Sequence, residues 1–179
     1  NNKDIIDIKN WFTQYLKWVT THPYGIDERE TKNNHATCWV MQVAVFAKLV
    51  GDTSLIQYCS KRYKEVLLPG QMAENGSFPL ELKRTKPYGY SLFNLDAMVT
   101  VVSVLSTPQQ NLFTYSYKPE VGIKKAIDFM FPYIVNKQNW PYQKDVMYWD
   151  EWPVAPIALL FGAKEFNNTD WLNAWVQLE

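Results

Sequence analysis

Four residues in two stretches of the sequence could together remove a proton that lies next to a carboxylate. Asn34 and His35 directly precede a long apolar run, and Arg84 is followed by Tyr90 just before a second apolar run. Each pair stands at a predicted loop–helix junction. If the two helices lie side by side, both junctions open at the same end of the fold, and we expect the four residues to form one site.

An amide, an imidazole, a guanidinium and a phenol suit the cleavage of a polymer of uronic acid. The hydrogen at C5 of a uronate becomes removable only when the charge of the adjacent C6 carboxylate is neutralised, which Asn34, His35 and Arg84 could do. The phenol of Tyr90 could take the C5 proton and return a proton to the O4 leaving group. The residue types therefore predict a β-elimination.

Each of these residues also has a purely structural interpretation. Asn33 and Asn34 could simply cap the helix that follows them. Arg84 belongs to a charged run that water could solvate, and Tyr90 could be a core aromatic. Tyr88 competes with Tyr90 for the role of base, because periodicity does not fix where this helix begins.

Further side chains could hold the sugar. Aromatic residues make up 16% of the chain, and aromatic faces either fill a core or stack on sugar rings. The segment with Trp140, Tyr142, Tyr148 and Trp149 could do either. The candidate substrate-binding residues are Asn33, Glu74, Ser77, Tyr88, Trp140 and Tyr142. Glu74, Ser77 and Glu81 could either contact sugar or hold the loop to which they belong.

Composition limits the possible classes of protein. The 18 basic and 18 acidic side chains balance, which argues against a nucleic-acid partner held by bulk positive charge. No apolar run reaches the ~18 residues of a membrane-spanning helix, so we expect no membrane partner. The sequence contains no clustered metal ligands, phosphate loop or nucleophile elbow, and we predict neither metal nor cofactor. Cys38 and Cys59 lie in apolar helical patterns and are predicted to be buried thiols.

The apolar pattern is helical almost throughout and predicts an all-α fold. The predicted helices span 4–20, 36–50, 53–67, 91–105, 121–135, 151–161 and 168–176, with loops at 21–34 and 68–89. The helices at 36–50 and 91–105 are apolar nearly all round, whereas others are amphipathic, which indicates an inner and an outer layer of helices. Gly51 is predicted to end one helix and Asp52 to cap the next, and His22 is predicted to be a turn residue.

Two stretches carry a family resemblance. The sequences "NNHATCWVMQVAVFAKLVGD" at 33–52 and "ENGSFPLELKRTKPYGYSLFNLDAM" at 74–98 resemble the alginate lyase superfamily of polysaccharide lyases. The resemblance implies an (α/α) toroid and a β-elimination that needs no metal. Because toroids of this family are usually much longer, residues 1–179 are expected to form one helical domain, an incomplete toroid whose N-terminal half is missing or on another chain.

The resemblance also implies roles for the four residues. Asn34 would neutralise the carboxylate, and His35 would neutralise it or act as an accessory base. Arg84 would stabilise the developing anion, and Tyr90 would act as both base and acid. The family and its substrates imply a periplasmic or secreted protein that acts on an acidic polysaccharide.

The polymer remains open between mannuronate and glucuronate, the latter forming glucuronan. In both sugars H5 and O4 lie on the same face of the ring, so a single Tyr could serve as base and acid. Two other functions also remain open. A non-catalytic carbohydrate-binding module would use the aromatics without turnover, and a glycoside hydrolase on a similar toroid would use acids drawn from Asp27, Glu28, Asp150 and Glu151.

Overall fold

The protein is built almost entirely from α-helices. The computed structural model describes residues 2–179. Its helices are α1 (Asn2–Thr21), α2 (Pro23–Glu30), α3 (Asn34–Val50), α4 (Thr53–Arg62), α5 (Leu68–Gln71), α6 (Pro79–Leu82), α7 (Pro87–Leu105), α8 (Ile123–Val135), α9 (Ile157–Phe166) and α10 (Thr169–Leu178). A π-helical turn, Tyr63–Leu67, joins α4 to α5. Two short antiparallel strands, β1 (Ser116–Lys118) and β2 (Val121–Gly122), precede α8.

Helices α3 and α7 form the centre of the fold. They pack against each other and are buried on most faces, in agreement with their apolar character all round. Helices α1, α2 and α4 pack on α3, whereas α9 packs on α7 and α10 packs on α9. The inner and outer helices predicted from the sequence are therefore present, and the two inner helices are the ones that carry the candidate motifs.

Helix α7 is long and apolar enough to cross a membrane, the one such helix among residues 2–179. However, 67% of its most apolar stretch is buried inside the protein. The central helix of a folded domain meets the same criteria of length and composition, and α7 packs against five other helices of this chain, α3, α4, α6, α8 and α9. Its apolar character is explained by its central position.

The junction between α3 and α4 follows the sequence closely. Gly51 has a left-handed backbone with φ of 84° and ends α3, since glycine adopts this conformation without strain. Asp52 caps α4, and its carboxylate accepts the N–H of Leu55 at 2.9 Å. Both predicted roles are confirmed.

The predicted loop at 21–34 is wrong, because α2 occupies Pro23–Glu30. His22 is not a simple turn residue but the N-cap of α2, and its ring nitrogen Nδ1 accepts the N–H of Tyr24 at 3.3 Å. Among the residues of α2, only Gly25 is buried. A helix that buries almost no side chain has no apolar periodicity, so no pattern of apolar residues indicated it.

Two helix starts also differ from the prediction. Helix α7 begins at Pro87 rather than at residue 91, which places both Tyr88 and Tyr90 inside it. Helix α9 begins at Ile157 rather than at residue 151, so that Pro153 and Pro156 both precede it. In both cases a proline stands at or just before the first residue, where its missing N–H costs nothing.

The two thiols are free and at least partly buried. Cys59 is fully buried, and burial raises the pKa of its thiol to about 12. Cys38 is about half-buried, and burial raises its pKa as well. Both cysteines therefore behave as small packing residues, as predicted.

Helix α1 has an apolar face that residues 2–179 leave open. Ile5, Ile8 and Trp11 are 54%, 52% and 59% exposed, whereas Leu16 and Val19 in the second half of the helix are buried. Exposed apolar side chains that line one side of a helix mark a surface where another element packs.

Candidate functional site

A buried carboxylate joins the two motifs. Glu81, in the short helix α6, is only 1% exposed. Its Oε1 accepts the backbone N–H of Asn34 at 2.7 Å, and its Oε2 accepts from Nη1 of Arg84 at 3.2 Å. The same Nη1 donates to Oδ1 of Asn34 at 3.0 Å. The first residue of α3 and the loop before α7 are therefore held together by one hydrogen-bonded triangle.

Arg84 also contacts the ring of Tyr90 and so links the triangle to the phenol. The guanidinium carbon lies 3.5 Å from the centre of the Tyr90 ring, a close cation–π contact. Lys86 adds a second cation, with Nζ 5.3 Å from the same ring centre. Arg84 thus contacts both Asn34 and Tyr90, and the structure brings three of the four predicted catalytic residues together.

His35, the fourth residue, follows Asn34 in the chain and is about half exposed. Its Nδ1 lies 2.6 Å from Oε1 of Glu28 in α2. Because an ionised carboxylate only accepts hydrogen bonds, Nδ1 carries the hydrogen and Nε2 is the nitrogen left for a ligand. Glu28, which the sequence offered only as a possible hydrolase acid, therefore orients the imidazole.

The start of α3 is fixed by a second set of contacts below Asn34. Asn33 caps the helix, with its Oδ1 accepting the N–H of His35 at 3.2 Å. Gln71 donates to the carbonyl of Asn33 at 2.9 Å, and its own carbonyl accepts from Thr37 at 3.0 Å and from Asn94 at 2.9 Å. Gln71, Thr37 and Asn94 are all buried. This polar network ties α3, α5 and α7 together beneath the site.

The environment of Tyr88 differs from that of Tyr90. Tyr88 is fully buried, and its hydroxyl donates to the carbonyl of Tyr133 at 3.0 Å. Burial, with a smaller contribution from the charge of Asp145, raises the pKa of this phenol far above its usual range. A base must be able to lose its proton and reach the substrate, so the structure favours Tyr90 over Tyr88.

The first turn of α7 is held by an acid from a distant segment. Asp145 is buried, and its two carboxylate oxygens accept the N–H groups of Tyr88 at 2.8 Å and Gly89 at 2.9 Å. Burial raises the pKa of Asp145 despite these hydrogen bonds. A side chain at Gly89 would collide with Asp145 and with Trp152, because a Cβ there would lie 2.8 Å from Oδ2 and 2.9 Å from Nε1.

Two polar candidates for sugar contact have partners elsewhere. Glu74 is exposed and pairs with Lys118 of β1 at 2.7 Å, which lowers the pKa of its carboxyl. Ser77 is buried, and its hydroxyl donates to Oδ1 of Asn75 at 2.7 Å. Both residues belong to the loop that leads into α6, and the contacts of Ser77 shape this loop.

The aromatic candidates split into a packed and a surface residue. Trp140 is 8% exposed, with its ring centre 5.1 Å from that of Tyr88 and 5.2 Å from that of Tyr133. Its indole N–H donates to the carbonyl of Gln143 at 3.0 Å. Trp140 therefore packs the end of α8 against α7. Tyr142 lies at the edge of this cluster and is 38% exposed.

Four residues that help to build the site were not indicated by the sequence pattern. Gln71, Asn94, Asp145 and Lys86 sit in apolar or loop segments where nothing in the pattern singled them out. Glu81, in the "ELKR" run, was expected either to contact sugar or to hold the loop, and the structure shows that it links the two motifs. Across residues 2–179, no group of three or more His, Cys, Asp or Glu side chains is placed to hold a metal ion.

The arrangement can bind and neutralise an anion beside a proton acceptor. The side-chain carbonyl of Asn34 accepts a hydrogen bond from Arg84. The NH₂ group of the Asn34 amide is therefore the part left to donate to a ligand. Guanidinium, amide and imidazole offer hydrogen bonds and positive charge, and the phenol of Tyr90 lies next to the guanidinium.

Comparison with known protein families and solved structures indicates the alginate lyase family. The sequence profile of the alginate lyase family matches residues 1–140. No match was found among curated protein sequences. The fold is similar to that of an alginate lyase from Bacteroides ovatus, with a TM-score of 0.84 and 26% identity over 100% of this chain and 47% of the other.

A second solved structure shares the fold. It is a histidine-to-alanine variant of alginate lyase A1-III complexed with a tetrasaccharide, with a TM-score of 0.64 and 19% identity over 88% of this chain and 48% of the other. The chain therefore spans about half the length of both structures. Its helices correspond to part of an (α/α) toroid, as the sequence predicted.

Proposed function

The chain belongs to the alginate lyase family, and on that basis we propose that it cleaves a uronic acid polymer by β-elimination. The observation that carries the proposal is the chain of contacts from Asn34 through Arg84 to Tyr90, with Glu81 beneath it. These contacts join groups that neutralise a carboxylate to a phenol that can move a proton.

The proposed reaction begins with the C6 carboxylate of one sugar unit against the NH₂ group of Asn34, the guanidinium of Arg84 and Nε2 of His35, which donates when the imidazole carries hydrogen on both nitrogens. These donors stabilise the enediolate that forms as C5 loses its proton. Tyr90, as phenolate, takes that proton. The electron pair of the C5–H bond then forms the C4–C5 double bond while the C4–O4 bond breaks.

The same phenol completes the reaction. Tyr90 returns its proton to the departing O4, which regenerates the phenolate and releases a chain end with an unsaturated uronate at the other fragment. One group can serve both steps only if H5 and O4 lie on the same face of the ring. We therefore propose mannuronate or glucuronate at the cleaved position.

A longer toroid forms part of the proposal. Since the chain spans about half the length of the similar alginate lyases, further helices of the same toroid would cover the open face of α1. They would also supply the opposite wall of the cleft. We further propose a periplasmic or secreted location, because a polysaccharide substrate is met outside the cytoplasm.

The direct test is the ultraviolet absorbance of the unsaturated uronate. The full chain is incubated with polymannuronate, polyguluronate and glucuronan in separate reactions, and we expect absorbance to rise with polymannuronate or glucuronan. His35→Ala and Arg84→Ala should each lower the rate by at least ~100-fold, the scale for loss of one charge-stabilising or proton-transferring group.

The matched control is Lys61→Ala, which removes an exposed cation that pairs with Glu65 on the surface of α4. This variant should keep its turnover. Cleavage without the ultraviolet product would indicate a hydrolase instead, and binding without any cleavage would indicate a carbohydrate-binding module. Either result would overturn the proposed elimination.

A further inference from the structure

A small cavity lies against Tyr90, and no residue of the hydrogen-bonded triangle lines it. It has a volume of about 210 Å³ and is lined by Lys86, Gly89, Tyr90, Phe93, Tyr148 and Trp152. The proposed chemistry uses only the phenol of Tyr90 and leaves this cavity without a role. Phe93 and Tyr148 are each 50% exposed although both are large aromatic residues, so the cavity presents apolar faces to its surroundings.

One cation is placed among the aromatic faces. Nζ of Lys86 lies 5.3 Å from the ring centre of Tyr90 and 5.1 Å from that of Tyr148. Lys86 immediately precedes α7, and its charge adds to that of Arg84 near the ring of Tyr90. A ligand of this cavity therefore meets flat apolar walls together with a positive charge.

Tyr148 and Trp152 form the aromatic wall of the cavity. The segment that carries them is held in place by contacts with the start of α7 and with Lys137, which follows α8. Besides the carboxylate of Asp145, the N–H of Val146 donates to the carbonyl of Thr85 at 3.1 Å. Nζ of Lys137 donates to the carbonyl of Trp152 at 2.5 Å and also to the carbonyl of Trp149. Since Gly89 leaves the room that Trp152 occupies, the position of the wall depends on that glycine.

We propose that this cavity binds the uronate unit next to the one that is cleaved, an inference that rests on the proposed function. A pyranose ring has an apolar C–H face that fits against Tyr148 and Trp152, and its carboxylate suits Lys86. The volume is smaller than the ~300–1,000 Å³ of sites for drug-sized ligands, so one sugar ring is the appropriate occupant. The cavity thereby sets which neighbouring sugar the enzyme accepts.

The test measures binding separately from turnover. In the Tyr90→Phe variant, which keeps the ring but not the hydroxyl, trisaccharides of mannuronate and of glucuronate are titrated by calorimetry. Adding Trp152→Ala or Tyr148→Ala should weaken binding about tenfold or more, the scale of losing one buried aromatic contact. Adding Lys86→Gln should weaken it severalfold at low salt and less at high salt.

The matched control is Met147→Ala, an exposed residue on the same segment outside the cavity, which should leave the dissociation constant unchanged. Tyr148→Ala guards against misfolding, because this side chain is half exposed whereas Trp152 is partly buried. With Tyr90 intact, the Trp152 and Tyr148 variants should raise KM more than they lower kcat.

The outcomes separate the two proposals. If the unsaturated product forms and the Trp152 and Tyr148 variants bind as tightly as the protein with Met147→Ala, the cavity is not a sugar subsite and only this inference is overturned. If the protein neither cleaves nor binds any of the polymers, the proposed function fails and the subsite fails with it.

Discussion

The two helices that carry the site begin in opposite ways. The start of α3 is capped by its own neighbour, since Asn33 accepts the N–H of His35. Lys86, which precedes α7, makes no such side-chain cap. The N–H groups of Tyr88 and Gly89 are instead taken by Asp145, which lies 57 residues beyond Tyr88 in the sequence.

This difference means that the two halves of the site depend on different parts of the chain. The position of Asn34 is set mainly by adjacent residues and by Glu81, whereas that of Tyr90 depends on a distant aromatic segment. A carboxylate that receives two backbone N–H groups stabilises a helix start as a local cap does, but it also ties that start to its own segment. Substitutions in the segment that contains Asp145 should therefore alter the position of the Tyr90 phenol.

The largest effect is expected from the two tyrosines of the α7 junction. Tyr90→Phe should lower turnover by about 100- to 10,000-fold without unfolding the protein, because it removes the proton-transferring group. Tyr88→Phe should keep turnover within a few fold but lower the free energy of unfolding by about 1–3 kcal/mol, since the carbonyl of Tyr133 loses its buried donor. Product absorbance and urea unfolding measure the two effects, and the reverse pattern would assign the base to Tyr88.

The next effect concerns Glu81, which connects the two junctions. Glu81→Gln keeps the size of the side chain but removes the charge that holds Arg84, and we expect turnover to fall by about 10- to 100-fold with a lower melting temperature. Glu65→Gln removes a carboxylate from an exposed surface pair and is the control. Unchanged turnover in Glu81→Gln would show that Arg84 and Asn34 hold their places without this carboxylate.

A smaller effect should distinguish the distant cap from the local one. Asp145→Ala removes the acceptor for two N–H groups, and we expect it to lower turnover about tenfold by loosening Tyr90. Asn33→Ala removes the cap of α3 and should cost about 1 kcal/mol of stability, with a smaller loss of turnover because Glu81 and Gln71 still hold this junction. Steady-state rates and thermal melts of both variants test this order, and equal losses of turnover would contradict it.

The last effect concerns stability rather than turnover and involves a third junction of the distant kind. Asp96 in α7 accepts the N–H of Ala158 at the start of α9 at 2.9 Å, and burial raises the pKa of its carboxyl to about 6. Because the folded protein holds this proton more tightly than the unfolded chain, the contribution of Asp96 to stability is full below pH ~4. It is lost as the pH rises through about 6.

The matching variant is Asp96→Asn, which cannot ionise. Relative to the unsubstituted protein, it should gain stability between pH 4.5 and pH 7, by an amount on the order of 2–3 kcal/mol. Melting temperatures of both proteins across this range measure the gain. A constant difference between them would show that Asp96 does not titrate in this window.

The contrast between local and distant caps also explains what the sequence could predict. The start of α3 and the α3–α4 junction were predicted well, because Asn33, Gly51 and Asp52 act on residues beside them. The starts of α7 and α9 were placed several residues too late or too early, because their caps, Asp145 and Asp96, lie in other segments.

Within the site, the sequence identified the residue types but not their environments. Asn34, Arg84 and Tyr90 were predicted from chemistry and motif, and the structure brings them into contact. Tyr88 and Tyr90 could not be separated by pattern, since both lie in the same helix. The difference between them is the carbonyl of Tyr133, which reaches Tyr88 from α8, 45 residues away, and no local pattern reports such a contact.

The open face of α1 has a consequence for hydrogen–deuterium exchange. Residues 2–15 of this helix include no fully buried side chain, and its anchors, Leu16 and Val19, lie toward its other end. Amides in the first turns should therefore exchange with solvent much faster than those of α3 when the face is open. If another element packs on Ile5, Ile8 and Trp11, these same amides should become protected. The exchange rate of the first turns of α1 therefore shows directly whether its apolar face is covered.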